Sequence, residues 1–141
     1  MPGLDDKRMQ ALDAMLGAWN AAEPELARRL LDEALAPGVV FVDPNYEIEG
    51  IDAFEAMVLA LRKAQPGHVA SRTSDVDAHH DVCRYAWRVT LPDGSHQNGM
   101  DVTRFDADGK VLRVDGFFAP STQKNGGNPG PSGGEDAQAR P

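Results

Sequence analysis

Near residue 67 the hydrophobic pattern of this chain changes period, and that change decides what it can fold into. Before it, apolar residues recur at helical spacing. Leu12, Met15, Leu16 and Trp19 fall at i, i+3, i+4 and i+7, so residues 5–20 read as an amphipathic helix. Pro24, a residue favoured at the first helical position, opens a second segment carrying Leu26, Leu30, Leu31 and Leu35. That segment is predicted to stop at Pro37-Gly38. Asp52 with Glu55 has the form of a capping box ahead of Phe54, Met57, Val58 and Leu61, and Gln65-Pro66-Gly67 closes this third helix. Between the second and third helices, Val39 to Val42 reads as a short buried strand ended by Asp43-Pro44, and Tyr46 to Glu49 as a brief second strand.

After residue 67 the chain reads as long strands broken by turns at 77–81, at Pro92-Asp93-Gly94 and at 106–109. Asp93-Gly94 and Asp108-Gly109 are strong hairpin signals, because tight hairpin turns need positive φ and glycine adopts it freely. Three helices leading into a curled antiparallel meander define an α+β domain over residues 4–120. Ser121 to Pro141 holds no large apolar residue and is dense in Gly and Pro. It cannot bury enough surface to offset its ordering entropy, so it reads as a disordered tail.

Charge and cysteine usage narrow the partners. The net charge is −8, and Lys124 and Arg140 cancel Glu135 and Asp136 in the tail, so the folded part carries the acidity. An acidic domain is repelled by phosphate backbones, which argues against nucleic acid as a partner. No basic amphipathic helix suggests a membrane surface, and no run approaches the roughly 18 apolar residues of a membrane span. The N-terminus lacks the basic start and apolar stretch of a signal peptide. The single cysteine, Cys83, excludes an internal disulfide and reads as a small buried hydrophobe. A cytoplasmic protein is expected. His79-His80 lies in a predicted turn without metal-ligand spacing, so it reads as solvated and no metal is expected.

One residue resists the pattern. Asp101 interrupts GMDVTRFD, a run that otherwise reads as strand, although aspartate is a poor strand former. Alternation groups Asp101 with Thr103 and Phe105 on one face, and Met100 with Val102 and Arg104 on the other. Phe105 favours the first set inward, yet an outward Asp101 could pair with Arg84, Arg88 or Arg113.

Three stretches carry a resemblance. The opening helix ends in Trp19-Asn20, FVDPNYEIEG spans 41–50, and GMDVTRFDADGKVLRVDGFF spans 99–118. Together they resemble the nuclear transport factor 2-like superfamily, which includes ketosteroid isomerases and SnoaL-type polyketide cyclases. The resemblance covers about Gln10 to Phe118. It implies a cone-shaped fold, with three N-terminal helices packed on a curved antiparallel sheet, and a homodimer through the outer sheet face. It also implies that Asp43 matches the proton-shuttling base of the isomerases and Asp101 their protonated, oxyanion-stabilising acid. By the same match Val114, Gly116 and Phe118 share a face and line the pocket. The isomerases carry an oxyanion tyrosine on the first helix, where this chain has Met15. Tyr85, Trp87 or Tyr46 could supply a replacement donor.

Such a pair of carboxyls suits proton transfer beside a carbonyl. One must be ionised to take a proton from carbon, and the other must stay neutral to hydrogen-bond the enolate oxygen; burial and a neighbouring charge separate the two roles. The expected function is therefore cofactor-free acid–base chemistry on a small apolar carbonyl compound: isomerisation, cyclisation or dehydration. Met15, Trp19, Tyr46, Tyr85, Trp87, Val114, Gly116 and Phe118 are the candidate substrate-binding residues, with Phe117 as further core or cavity wall. Plainer readings stand beside this one. Asp43 could simply cap backbone amides of the following turn. The same fold could also serve as a non-catalytic ligand-binding module or a structural dimer.

Overall fold

The computed structural model describes residues 3–120; the stretch 121–141, read above as a disordered tail, lies outside the described residues. The elements follow in the order α1 (Asp6–Asn20), α2 (Pro24–Ala34), β1 (Leu35–Val42), β2 (Glu47–Glu49), α3 (Ile51–Ala64), β3 (Val69–Arg72), β4 (Asp77–His79), β5 (Val82–Thr90), β6 (His96–Phe105) and β7 (Val111–Phe118). The seven strands form one mixed sheet in the order β2-β1-β7-β6-β5-β3, with β4 pairing β5. Neighbours run antiparallel except β1 and β7, which pair in parallel across most of the chain's length. The sheet does not close on itself, and a register shift at Arg104/Phe105 bends its long β6–β7 ribbon.

The helices cover the inner face of this curved sheet. Leu12, Leu31, Leu35, Val39, Phe54, Val58, Phe105, Val111 and Val114 are fully buried between the two layers. Trp19, Phe41 and Phe54 form an aromatic triangle that joins α1, β1 and α3, with centroids 5.4–6.2 Å apart. The Asn20 side-chain amide both donates to Ala70 O and accepts from Ala70 N, each at 2.8 Å, and so ties the end of α1 to β3. Among the described residues no helix is long and apolar enough to cross a membrane.

Several sequence expectations are corrected. α2 ends at Ala34 rather than reaching Pro37, and Leu35 already pairs with Val111 in β1. Proline pushes the residue before it out of helical geometry, and the buried Leu35 side chain packs equally well from a strand. The capping box at Asp52 does not form. Gly50, at φ 97°, is the N-cap of α3, and the Asp52 and Glu55 carboxylates instead bind the Arg28 guanidinium of α2 at 2.7 and 2.9 Å. The expected turn at 77–81 shrinks to residues 80–81, because Asp77–His79 forms β4 against β5. His79 is thus on a strand and His80 takes the turn at φ 52°; both are exposed. Phe117 is no part of the core: it points outward at 60% exposure, opposite Met100.

Candidate active site

Face parity resolves the position of Asp101. On β6, Gly99, Thr103 and Phe105 are buried while Met100 and Arg104 are exposed, so Asp101 points inward with the first set. Its cross-strand partners are Tyr85 on β5 and Gly116 on β7. None of the three arginines proposed as surface partners reaches it. Arg84 pairs with Asp77, Arg88 bonds Asn98 and Arg113 pairs with Asp115.

Neutral donors hold Asp101 instead. Trp87 Nε1–H donates to Oδ1 at 2.9 Å, and the Tyr85 hydroxyl donates to Oδ2 at 3.3 Å. The Tyr85 oxygen is also 3.3 Å from Thr103 Oγ1, the side chain of the one fully buried polar residue among those described. Burial pushes the Asp101 carboxyl up from 3.8 to about 7; the Trp87 and Tyr85 bonds pull the other way, and the charge of Asp43 adds to the rise. Burial likewise drives Tyr85 well above 10 and Cys83 up to about 12, so both are neutral near pH 7.

Asp43 follows β1, at the point where Pro44 ends the strand. Its Oδ1 accepts from the backbone N–H of Asn45 and of Tyr46, both at 2.8 Å, and its own backbone pairs with Tyr46. The plain capping role is therefore real, and it leaves Oδ2 without a protein partner. Burial raises the Asp43 carboxyl while the two amides lower it, a smaller net rise than at Asp101.

Gly116 lies between the two aspartates. A Cβ built there would lie 3.0 Å from Asp101 Oδ1 and 3.3 Å from Asp43 Cβ. Even a methyl at this position would be tight, so the glycine is what lets the two aspartates flank the strand this closely. Trp87 and Phe118, both paired with Gly99, meet edge to face at 5.8 Å, and Trp19 and Ile48 are only half-buried. Of the other candidates, Met15 and Val114 lie deeper, inside the packed core, and Tyr46 stands at the rim with 38% exposure. Tyr85 and Trp87, proposed as replacement oxyanion donors, direct their hydrogens to Asp101. The residues missed from sequence are Thr103 and Gly99. The five-residue loop Leu91–Ser95 and the pairing of Thr90 with His96 fix a register that sets Trp87 opposite Gly99, and counting outward from the turn signal would have found it.

Among the described residues no group of three or more His, Cys, Asp or Glu could hold a metal ion. An open concavity of about 410 Å³ lies elsewhere, lined by Asp77, His79, Val82, Cys83, Arg84 and Val102. It contains none of the residues around Gly116.

The chain matches the SnoaL-like domain over residues 12–114 and belongs to that family. It is similar to an Agrobacterium tumefaciens protein provisionally named an isomerase of the SnoaL-like family, with a TM-score of 0.75 and 30% identity over 81% of this chain and 98% of that one. A provisionally named SnoaL-like polyketide cyclase from a Jannaschia species is similar at 21% identity and a TM-score of 0.60, covering 84% of this chain and 91% of its own. A protein of unknown function with a cystatin-like fold from Methylobium petroleophilum reaches a TM-score of 0.69 at 14% identity, over 88% of this chain and 84% of that one. The last two likenesses speak for the fold, which is the cystatin-like, nuclear transport factor 2-like α+β fold expected from sequence. No curated protein matches the chain.

Proposed function

We propose that this protein is an acid–base enzyme acting on a small apolar carbonyl compound bound over Gly116. Asp43 takes a proton from the carbon beside the carbonyl, and neutral Asp101 donates a hydrogen bond to the enolate oxygen as charge develops there. The proton on Asp43 then returns to a different carbon in an isomerisation. In a cyclisation the enolate carbon attacks a second carbonyl, whose oxygen takes the proton from Asp43, and in a dehydration a neighbouring hydroxyl takes that proton and leaves as water. None of these involves net oxidation or reduction.

The observation that carries this reading is the inequality of two aspartates that flank Gly116. Asp101 is the more buried, has no cation beside it and keeps its proton to about pH 7. Asp43 is partly satisfied by two backbone amides, which favour its ionised form. An acid and a base with separated proton affinities, on either side of one glycine, suit enolisation. The kinship with a provisionally named isomerase supports the same class.

The test is a screen of enolisable ketones and polyketide-like carbonyls with the native protein and the Asp43→Asn variant. Asparagine retains an oxygen acceptor for the Asn45 and Tyr46 amides, so the strand end is expected to keep its shape. Turnover is expected to fall by about 10²–10⁴-fold. Turnover that survives the substitution removes Asp43 as the base. Binding of the same compounds without turnover by either protein would reassign the hollow to ligand carriage.

A further inference from the structure

The two oxygens of Asp101 have different neighbours. Oδ1 faces the Trp87 indole N–H at 2.9 Å, a group that donates and cannot accept. Oδ2 faces the Tyr85 hydroxyl, which can do either and which also touches Thr103 Oγ1. A proton on Oδ1 would oppose the indole hydrogen, whereas a proton on Oδ2 meets an oxygen able to receive it.

The indole is itself held in place. Trp87 lies across Gly99, its cross-strand partner, and a Cβ on Gly99 would sit 2.5 Å from Trp87 Cε2 and closer still to Cζ2. Glycine is thus the residue that lets the ring lie against the neighbouring strand, where its N–H reaches the next inward residue, Asp101. Phe118, also paired with Gly99, closes the other side with its ring edge-on at 84°.

We propose that Trp87, seated across Gly99, is a positioning residue that fixes Oδ2 as the oxygen on which Asp101 carries its proton. The Tyr85 and Thr103 hydroxyls then suit either charge state. When Asp101 is ionised, Tyr85 O–H turns to Oδ2 and Thr103 donates to the Tyr85 oxygen. When Asp101 is neutral, its Oδ2–H points at the Tyr85 oxygen, and Tyr85 O–H turns to Thr103. No buried polar atom is stranded in either state, which matters because an unsatisfied one is costly. The inference rests on Asp101 being the acid of the proposed reaction, and it makes Tyr85 a relay rather than an oxyanion donor. The other titratable or charged groups around it are Asp43 across Gly116, Cys83 on β5, and Arg72 of β3, which is paired with Asp13 of α1 at 2.5 Å.

Carboxyl-carbon NMR titration of the full chain, with Trp87→Phe beside the native protein, tests the assignment. Phenylalanine keeps an aromatic ring against Gly99 but removes the N–H that favours the ionised carboxyl. The Asp101 midpoint is expected to rise by about one to two pH units in the variant. In the native protein the Trp87 indole N–H resonance is expected to move with the same midpoint as Asp101. An Asp101 midpoint unchanged in Trp87→Phe, or an indole resonance indifferent to it, overturns the positioning role. A native Asp101 that titrates like a solvated carboxyl instead overturns the acid itself, and the Trp87 comparison still decides the bond.

Discussion

The inner and outer faces of the same strands treat aspartate in opposite ways. Outside, Asp77 pairs with Arg84 at 2.9 Å, Asp81 with Arg104 at 2.8 Å and Asp115 with Arg113 at 3.0 Å. Inside, Asp101 is surrounded by an indole, a phenol and a hydroxyl, with no cation among its partners. A guanidinium cancels a carboxylate's charge, but neutral donors only soften it, so burial wins at Asp101. The sheet uses its outer acids as surface charge and keeps one inner acid able to hold a proton at neutral pH.

The sharpest way to break this comparison is to measure stability against pH. Asp101 has a folded value of about 7 against an unfolded value near 3.8, so the folded state binds the extra proton between them. Its contribution is fully present below about pH 4 and is lost as pH rises through about 7. At 1.36 kcal/mol for each pH unit, the shift corresponds to about 4 kcal/mol as an upper limit. Asp101→Asn, which cannot ionise, is expected to be more stable than the native protein at pH 8 by up to that amount. The advantage should shrink to nothing near pH 4. Denaturant unfolding at both pH values checks it, and parallel curves for the two proteins would mean that Asp101 is not buried as a protonable group.

Gly116→Ala should act more selectively. The new methyl would sit 3.0 Å from Asp101 Oδ1, tighter than an ordinary van der Waals contact, at the place over which the proposed ligand binds. A displacement of the reacting geometry by about 1 Å costs roughly 10²-fold in rate. Turnover is expected to fall by about that factor with a smaller change in stability, read from steady-state kinetics beside thermal unfolding. Unchanged kinetics would place the ligand elsewhere.

Much of this architecture was legible in the sequence because its signals are local. The change of period after residue 67, the two Asp-Gly turns and the alternation around Asp101 each depend on neighbouring residues only, and each led to the observed element or face. Leu35 misled because an apolar residue at that spacing fits either the end of α2 or the start of β1, and packing against Val111 decides. Asp52 and Glu55 misled because their partner, Arg28, is on another helix. At the site, strand parity grouped Asp101 with Phe105 and so favoured the inward face without deciding it, and the choice of Trp87 and Tyr85 as its holders was not legible. That choice depends on a glycine across the ladder, a contact visible only once register is counted from the turn.

At the weak end of the comparison stands the outer face. Asp77 and Arg84 are both more than 60% exposed, and an exposed ion pair is offset by side-chain entropy and screened by salt. Asp77→Asn is therefore expected to change unfolding stability by at most about 1 kcal/mol, less in high salt, and to leave any turnover and the Asp101 titration untouched. The same chemical edit, aspartate to asparagine, thus has opposite consequences on the two sides of one sheet. Removing a solvated charge outside releases an arginine to water, whereas removing the inner carboxyl relieves a buried ionisation and takes away the proton that the proposed reaction needs. If Asp77→Asn moved the Asp101 midpoint as much as Trp87→Phe does, the two faces would be electrostatically coupled through the sheet. Their separate treatment of charge would then not explain why Asp101 stays protonated.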